Sequence, residues 1–186
     1  MKKIILILLS MLLVGCATTV ENEYVAPEGI PHARIRVHHA THAKVYLAPS
    51  CDEEPISFDA SVGGGLFDSN KKIGMPPTKR STWPLSSWRE YTIPAGYRTR
   101  VELDYSASAP LSRGGHIHYK CRPMSFSFIP EAGKDYDTFS YHHTGNRCYI
   151  AVRELIKNEG DMATGKLIEN DLPPCPKKET QKTAIK

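Results

Sequence analysis

The sequence predicts an all-β protein: an antiparallel β-sandwich of immunoglobulin-like or transthyretin-like type, with a small β-barrel as runner-up. Three observations predict it. Seven or eight short stretches alternate apolar and polar residues, glycines and prolines separate them at short intervals, and no long amphipathic helical stretch interrupts the series.

Taken in order, Arg34-Ile35-Arg36-Val37-His38 alternates strictly, and Lys44-Val45-Tyr46-Leu47 repeats the pattern until Pro49 stops it. Residues 54–88 carry Pro55, Gly63-Gly64-Gly65, Gly74, Pro76-Pro77 and Pro84, and read as loops around one or two short strands. Glu90-Tyr91-Thr92-Ile93 comes next, Pro94-Ala95-Gly96 turns the chain, and from Arg98 to Tyr105 the residues Val101, Leu103 and Tyr105 share one face. Met124, Phe126 and Phe128 alternate with serines. Pro130-Glu131-Ala132-Gly133 reads as a hairpin turn, after which Asp135 to His143 returns with Phe139 and Tyr141 on one face and Tyr136 on the other. Gly145-Asn146 suits a two-residue turn, so that Cys148 to Val152 completes a three-strand meander. Only the stretch from Val152 to Asn158 has a spacing that could begin a helix, ended by Gly160.

The segment before this domain has a different character. Lys2 and Lys3 precede an apolar run from Ile4 to Val14 that only Ser10 breaks, and small Gly15 precedes Cys16. Such a run is too short to span a bilayer, which takes about 20 residues, and has the three parts of an export leader. Leu13-Val14-Gly15-Cys16 resembles the bacterial lipobox, which implies that Cys16 receives acyl chains and becomes the new N-terminus. Each buried methylene contributes about 0.8 kcal/mol, so two or more chains anchor stably where one does not. Ala17 stands where the inner-membrane retention signal has Asp, which favours the outer membrane, facing the periplasm. The expected organisation is a leader over residues 1–15, a lipidated cysteine and tether over 16–31, a sandwich over 32–157, and a mobile tail over 158–186 except where Cys175 pins it.

Removing residues 1–15 of 186 leaves 171, enough for one domain with a core. Loss of Lys2 and Lys3 takes the 24 basic residues to 22, against 20 acids, and the basic residues are scattered. That is no footprint for nucleic acid.

Four cysteines remain beside Cys16, and in an oxidising compartment an even number points to disulfides. Their separations of 70, 27 and 27 residues along Cys51, Cys121, Cys148 and Cys175 do not suit a thiolate metal site, which prefers closer pairs. Of the three pairings, Cys121 with Cys148 and Cys51 with Cys175 is favoured. In a meander Cys121 and Cys148 would lie near the same end but two strands apart, about 9.5 Å and beyond disulfide reach, so the chain near Cys121 has to leave the sheet. Pro123, which cannot donate to a ladder, marks where an edge or bulge allows it.

All eight histidines fall after the leader, and His116 and His118, two apart on a strand, present both imidazoles on one side. The expected hairpins bring them near His142 and His143, a candidate zinc or copper cluster. Adjacent His142 and His143 point to opposite faces of a regular strand, however, and surface or hydrogen-bonded histidines are the simpler reading.

Enzyme-like matches do not hold. Gly160-Asp-Met-Ala-Thr-Gly165-Lys166 copies most of a P-loop, but Leu167 replaces the hydroxyl residue that holds magnesium. Ser69-Asn-Lys-Lys72 fits a Ser-x-x-Lys motif without its companions. Trp83, Trp88 and Tyr91 form an aromatic group that reads as core before it reads as a sugar or peptide site.

The segment from Ile93-Pro94-Ala95-Gly96 through Cys121-Arg-Pro-Met-Ser-Phe, Pro130-Glu-Ala-Gly-Lys-Asp-Tyr136 and Arg147-Cys148 to Val152 resembles a group of proteobacterial lipoproteins of uncharacterised activity. The resemblance implies an exported all-β domain and carries no catalytic role; the tethered sandwiches of type VI secretion are a looser architectural likeness. The expected function is that of a non-catalytic envelope lipoprotein, bound to the bilayer through Cys16, that binds a partner such as an envelope protein or supports an assembly. The alternative is a periplasmic zinc or copper binding protein using His116, His118, His142 and His143; no other cofactor is expected.

Overall fold

The computed structural model describes residues 24–38, 42–61, 72–82, 87–110, 112, 114–143, 147–157, 162–169 and 171–176. Nine strands follow one another: β1 (His32–His38), β2 (Ala43–Ala48), β3 (Ile56–Asp59), β4 (Trp88–Pro94), β5 (Arg98–Pro110), β6 (His116–Phe128), β7 (Asp135–His143), β8 (Arg147–Ile156) and β9 (Thr164–Leu167). They form two open sheets, one in the order β4-β1-β7-β8-β9 and the other in the order β3-β2-β5-β6. The architecture is an all-β sandwich and not a closed barrel. All pairings are antiparallel except that of β1 with β7, which runs parallel from Arg34 opposite Asp135 to Val37 opposite Thr138.

The core lies between the sheets, built from alternate positions. Ala33, Ile35 and Val37 of β1 meet Val45 and Leu47 of β2, Val101 and Leu103 of β5, Ile93 of β4, Phe128 of β6, Tyr136 of β7 and Val152 of β8 in one cluster. Phe58 and Tyr91 pack at 4.8 Å between ring centres, and Phe128 and Tyr136 at 5.0 Å.

The expected three-strand meander is not formed. β6 belongs to one sheet, while β7 and β8 belong to the other. The turn at Pro130–Gly133 carries the chain around the end of the sandwich, as the Pro94–Gly96 turn does between β4 and β5. The two corners are tied together: the Gly96 N–H donates to the Pro130 carbonyl at 2.8 Å and the Gly133 N–H to the His32 carbonyl at 2.8 Å. Gly133 holds φ at 74°, a left-handed conformation that glycine adopts without a Cβ penalty. The β7–β8 hairpin is also one residue out of the expected register, with His143 opposite Arg147 and His142 opposite Cys148. Residues 144–146 of that turn lie outside the described residues.

Two boundaries move. No helix begins at Val152; β8 runs on to Ile156. The domain does not end at residue 157 either, because β9 adds a fifth strand to the larger sheet and residues 171–175 lie across the smaller one. At the other end Tyr24 stacks on Phe58 with ring centres 4.3 Å apart, and His32 Nε2 is 2.8 Å from the Pro27 carbonyl. Seven residues therefore separate Cys16 from Tyr24, the first docked side chain among the described residues. At full extension they span about 25 Å, half the reach of a tether running to Pro31.

Burial pushes the Tyr24 phenol up to about 12, with Tyr97 adding to the effect. Because the docked state favours the neutral phenol, its contribution is complete below pH 10 and lost as pH rises towards 12. Burial raises the Tyr136 phenol as well, so a tyrosinate absorbance titration should show late-ionising tyrosines of which Tyr24→Phe removes one; an unchanged titration would place Tyr24 in solvent.

Candidate functional site

The outer face of the larger sheet holds polar residues that alternation alone assigns to solvent. Arg34, Arg36 and His38 of β1 stand on it beside Trp88 and Glu90 of β4 and Asp135 and Asp137 of β7. Yet Arg36 and Glu90 are each only 1 % exposed, because residues 73–82 cross above them. Arg36 donates from Nε (3.0 Å) and Nη2 (2.6 Å) to Glu90 Oε1, and from Nη2 to the Pro76 carbonyl at 2.9 Å. Glu90 Oε2 in turn accepts the Ile73 N–H at 2.7 Å and the Met75 N–H at 3.3 Å.

Asp137 Oδ1 sits 2.7 Å from His38 Nε2 and 3.8 Å from Arg36 Nη1, which has no hydrogen-bond partner. The Arg36 guanidinium lies 4.9 Å over the Trp88 ring, and Arg80 of the crossing segment lies 3.8 Å over Phe139. Burial presses the Arg80 guanidinium below its usual range, opposed by Asp137 and reinforced by Arg153. His38 and Asp137 are 5 % and 3 % exposed. It is the Arg36–Glu90 pair that fastens the 73–82 segment to the sheet, through the Pro76 carbonyl and the Ile73 and Met75 N–H groups.

Trp88 and Tyr91, grouped in the sequence reading, lie on opposite faces of β4. Tyr91 is in the inter-sheet core, and Trp88 is under the crossing segment with its indole N–H donating to the Ser81 carbonyl at 3.1 Å. Trp83 lies outside the described residues.

The second distinctive region is the far half of the β5–β6 hairpin. β2 accompanies β5 only as far as Leu103 opposite Ala43; beyond that point β5 and β6 continue together to Pro110 opposite His116, without a third strand in the ladder among the described residues. At about 3.3 Å per residue this arm extends roughly 20 Å past the bulk of its sheet. A bulge marks its base. Leu103 pairs with Met124 and Tyr105 with Cys121, so Arg122 and Pro123 oppose the single residue Asp104.

Pro123, which has no N–H to contribute, stands where the ladder is broken anyway. Asp104 fixes the base to both sheets: its N–H donates to the His42 carbonyl at 3.0 Å, its Oδ1 accepts the His42 N–H at 3.0 Å, and its carbonyl accepts the Ser140 hydroxyl at 2.7 Å. Residues His42, Asp104, Lys120, Cys121, Arg122 and Pro123 line an open hollow of about 480 Å³ there.

Cys121 closes the same corner by bonding to Cys148 of β8, with Cα atoms 6.0 Å apart. The pairing is the favoured one, reached by a different route: Cys121 has not left a shared sheet but belongs to the facing one. Cys51 pairs with Cys175, Cα to Cα 5.3 Å. Cys16 lies outside the described residues.

His116 and His118 are both exposed on the arm, in the smaller sheet. His142 and His143 end β7 in the larger sheet, and their side chains lie outside the described residues. Among the described residues no three His, Cys, Asp or Glu side chains are grouped as metal ligands. Ser69 and Gly63-Gly64-Gly65 also lie outside the described residues, while Gly165 and Lys166 of the P-loop lookalike sit in β9, opposite Leu155 and Glu154 and not at a helix start. No helix among the described residues is long and apolar enough to cross a membrane.

Fold and site together define a disulfide-stapled all-β sandwich that carries a projecting two-stranded arm. Comparison of the chain with protein-family models, with curated proteins and with solved structures gives no match in any of the three.

Proposed function

We propose that the protein is a lipid-anchored, non-catalytic module of a bacterial cell envelope, held at the outer membrane on its periplasmic side through acylated Cys16, where it binds a partner or supports an assembly. The observation that carries this reading is Leu13-Val14-Gly15-Cys16 directly after a basic start and an apolar run. Two disulfides agree with an oxidising compartment. The short spacing from Cys16 to docked Tyr24 keeps the domain near the lipid, and the arm offers two strand edges and the exposed side chains of Ser106, Ile117 and His118 to a partner.

Cys16→Ser tests the anchor. The wild-type chain should incorporate labelled palmitate and sediment with membranes, whereas the variant should lose the label and change in size as processing at residue 15 fails. Equal size and equally firm membrane association of the two would end this reading. A photo-crosslinking residue at Ile117, compared with one at exposed Ile56 on β3, tests the arm. Adducts from both positions alike would remove it as the contact surface.

A further inference from the structure

The outer face of the smaller sheet carries a separate cleft. Where β2 and β5 pair, Lys44, Tyr46 and Ala48 stand opposite Glu102, Arg100 and Arg98, turned away from the core. The chain after β9 crosses this face. The Ser127 N–H donates to Asp171 Oδ1 at 2.7 Å, the Leu172 N–H to the Ser127 carbonyl at 2.9 Å, and Arg98 Nη2 to the carbonyls of Leu172 and Pro173. Cys175 is then joined to Cys51. Sheet, crossing segment and the loop after β2 enclose about 380 Å³, with Tyr46, Arg100 and Ser125 in the floor and Ala48, Pro55 and Leu172 among the apolar walls.

Two arginines, Arg98 and Arg100, and two acids, Glu53 and Asp171, line this cleft, and they differ in how they are engaged. Arg100 lies 4.0 Å over the Tyr46 ring and the Lys44 ammonium 5.2 Å from the same ring, and neither makes an ion pair among the described residues. Neither lining acid pairs with Arg100: Asp171 accepts the Ser127 N–H, and Glu53 accepts the Ser50 hydroxyl at 3.2 Å. A guanidinium stacked on an aromatic ring keeps its N–H fork free at the edge of its plane, a geometry that fits a carboxylate or phosphate.

We propose that this cleft binds a small amphipathic anion, a carboxylate or phosphate on a short apolar body, with Arg100 holding the head and Ala48, Pro55 and Leu172 covering the body. The volume is that of a small-molecule site, and apolar walls with a few convergent polar groups are the usual composition of one. The Cys51–Cys175 bond holds the wall in place. This site is independent of the anchor and of the arm.

Calorimetric titration of the full chain with hexanoate, hexyl phosphate, hexanol and inorganic phosphate tests it. At least one of the two amphipathic anions should bind saturably, one per chain, with hexanol and inorganic phosphate at least about tenfold weaker. The tighter of the two anions identifies the head group. Arg100→Gln, an exposed change that leaves the core intact, should weaken binding about tenfold or more. Ser125→Phe should do the same by filling the floor without altering charge. Absence of saturable binding by both anions, equal binding of hexanol or of inorganic phosphate, or indifference to both substitutions would overturn the proposal.

Discussion

Glu90→Ala is expected to destabilise the protein by about 3–5 kcal/mol, a large share of the roughly 5–15 kcal/mol that holds a domain folded. The loss follows from what Glu90 leaves behind. Arg36 stays buried at 1 % exposure with its nearest remaining carboxylate, Asp137, at 3.8 Å, and the Ile73 and Met75 N–H groups lose their acceptor. Replacing both partners is a different experiment. Arg36→Met with Glu90→Leu removes the charges together and keeps apolar volume under the crossing segment, so it should recover the part of the loss due to the unpaired guanidinium, while the Ile73 and Met75 N–H groups still lack their acceptor.

Urea unfolding of the single and double variants measures this, and hydrogen exchange at Ile73 and Met75 reports the crossing segment directly. A Glu90→Ala variant within 1 kcal/mol of the parent by the same measurement would mean that the cluster is hydrated and the cover loose.

The same cluster shows where sequence reasoning ran short. Alternation in Arg34-Ile35-Arg36-Val37-His38 locates a strand and its greasy face correctly, but it assigns the polar face to water. A pairing clue was present: three bases on β1 stand between Glu90 of β4 and Asp135 and Asp137 of β7. It becomes readable only once the sheet order is known, because period two identifies faces and not neighbours.

Cover from residues 73–82 also explains the apparent helix. Val152 is buried in the inter-sheet core and Leu155 on the opposite face against Met75 and Ala163, so a strand buried on both sides mimics helical spacing. Turn chemistry has a similar ambiguity. Pro130–Gly133 was legible as a turn, but four residues can close a hairpin or round the end of a sandwich, and only long-range pairing decides which. At the arm more was legible: Pro123 pointed to an edge or bulge, and the spacing of His116 and His118 put both imidazoles on one side of a strand, with surface or hydrogen-bonded histidines as the simpler reading. Their distance from β7 depended on the meander that the chain does not form.

Loss of the Cys121–Cys148 bond, by Cys121→Ala with Cys148→Ala, is expected to lower stability by about 3–4 kcal/mol through loop entropy alone. The bond closes a loop of 27 residues, whereas Cys51–Cys175 spans 124, so the entropic model makes removal of the longer loop more costly by about 1.4 kcal/mol. The local consequences should run the other way. Among the described residues no third strand joins the β5–β6 arm beyond the bulge, and two-stranded ribbons are marginal in water, so Cys121 and the Asp104 contacts at its base should matter to the arm. The 171–175 segment keeps the Ser127, Asp171 and Arg98 hydrogen bonds when Cys175 is replaced.

Hydrogen exchange in β5 beyond Tyr105 and in β6 before Cys121 should therefore accelerate strongly in the Cys121/Cys148 pair of substitutions and little in the Cys51/Cys175 pair. Equal acceleration in both would show that the two bonds stabilise the sandwich as a whole, and an arm unaffected by either would show that its own ladder suffices. Either outcome would remove the physical basis for a stiff, presented arm, because a contact surface of two strands can present a fixed edge only if its base is held.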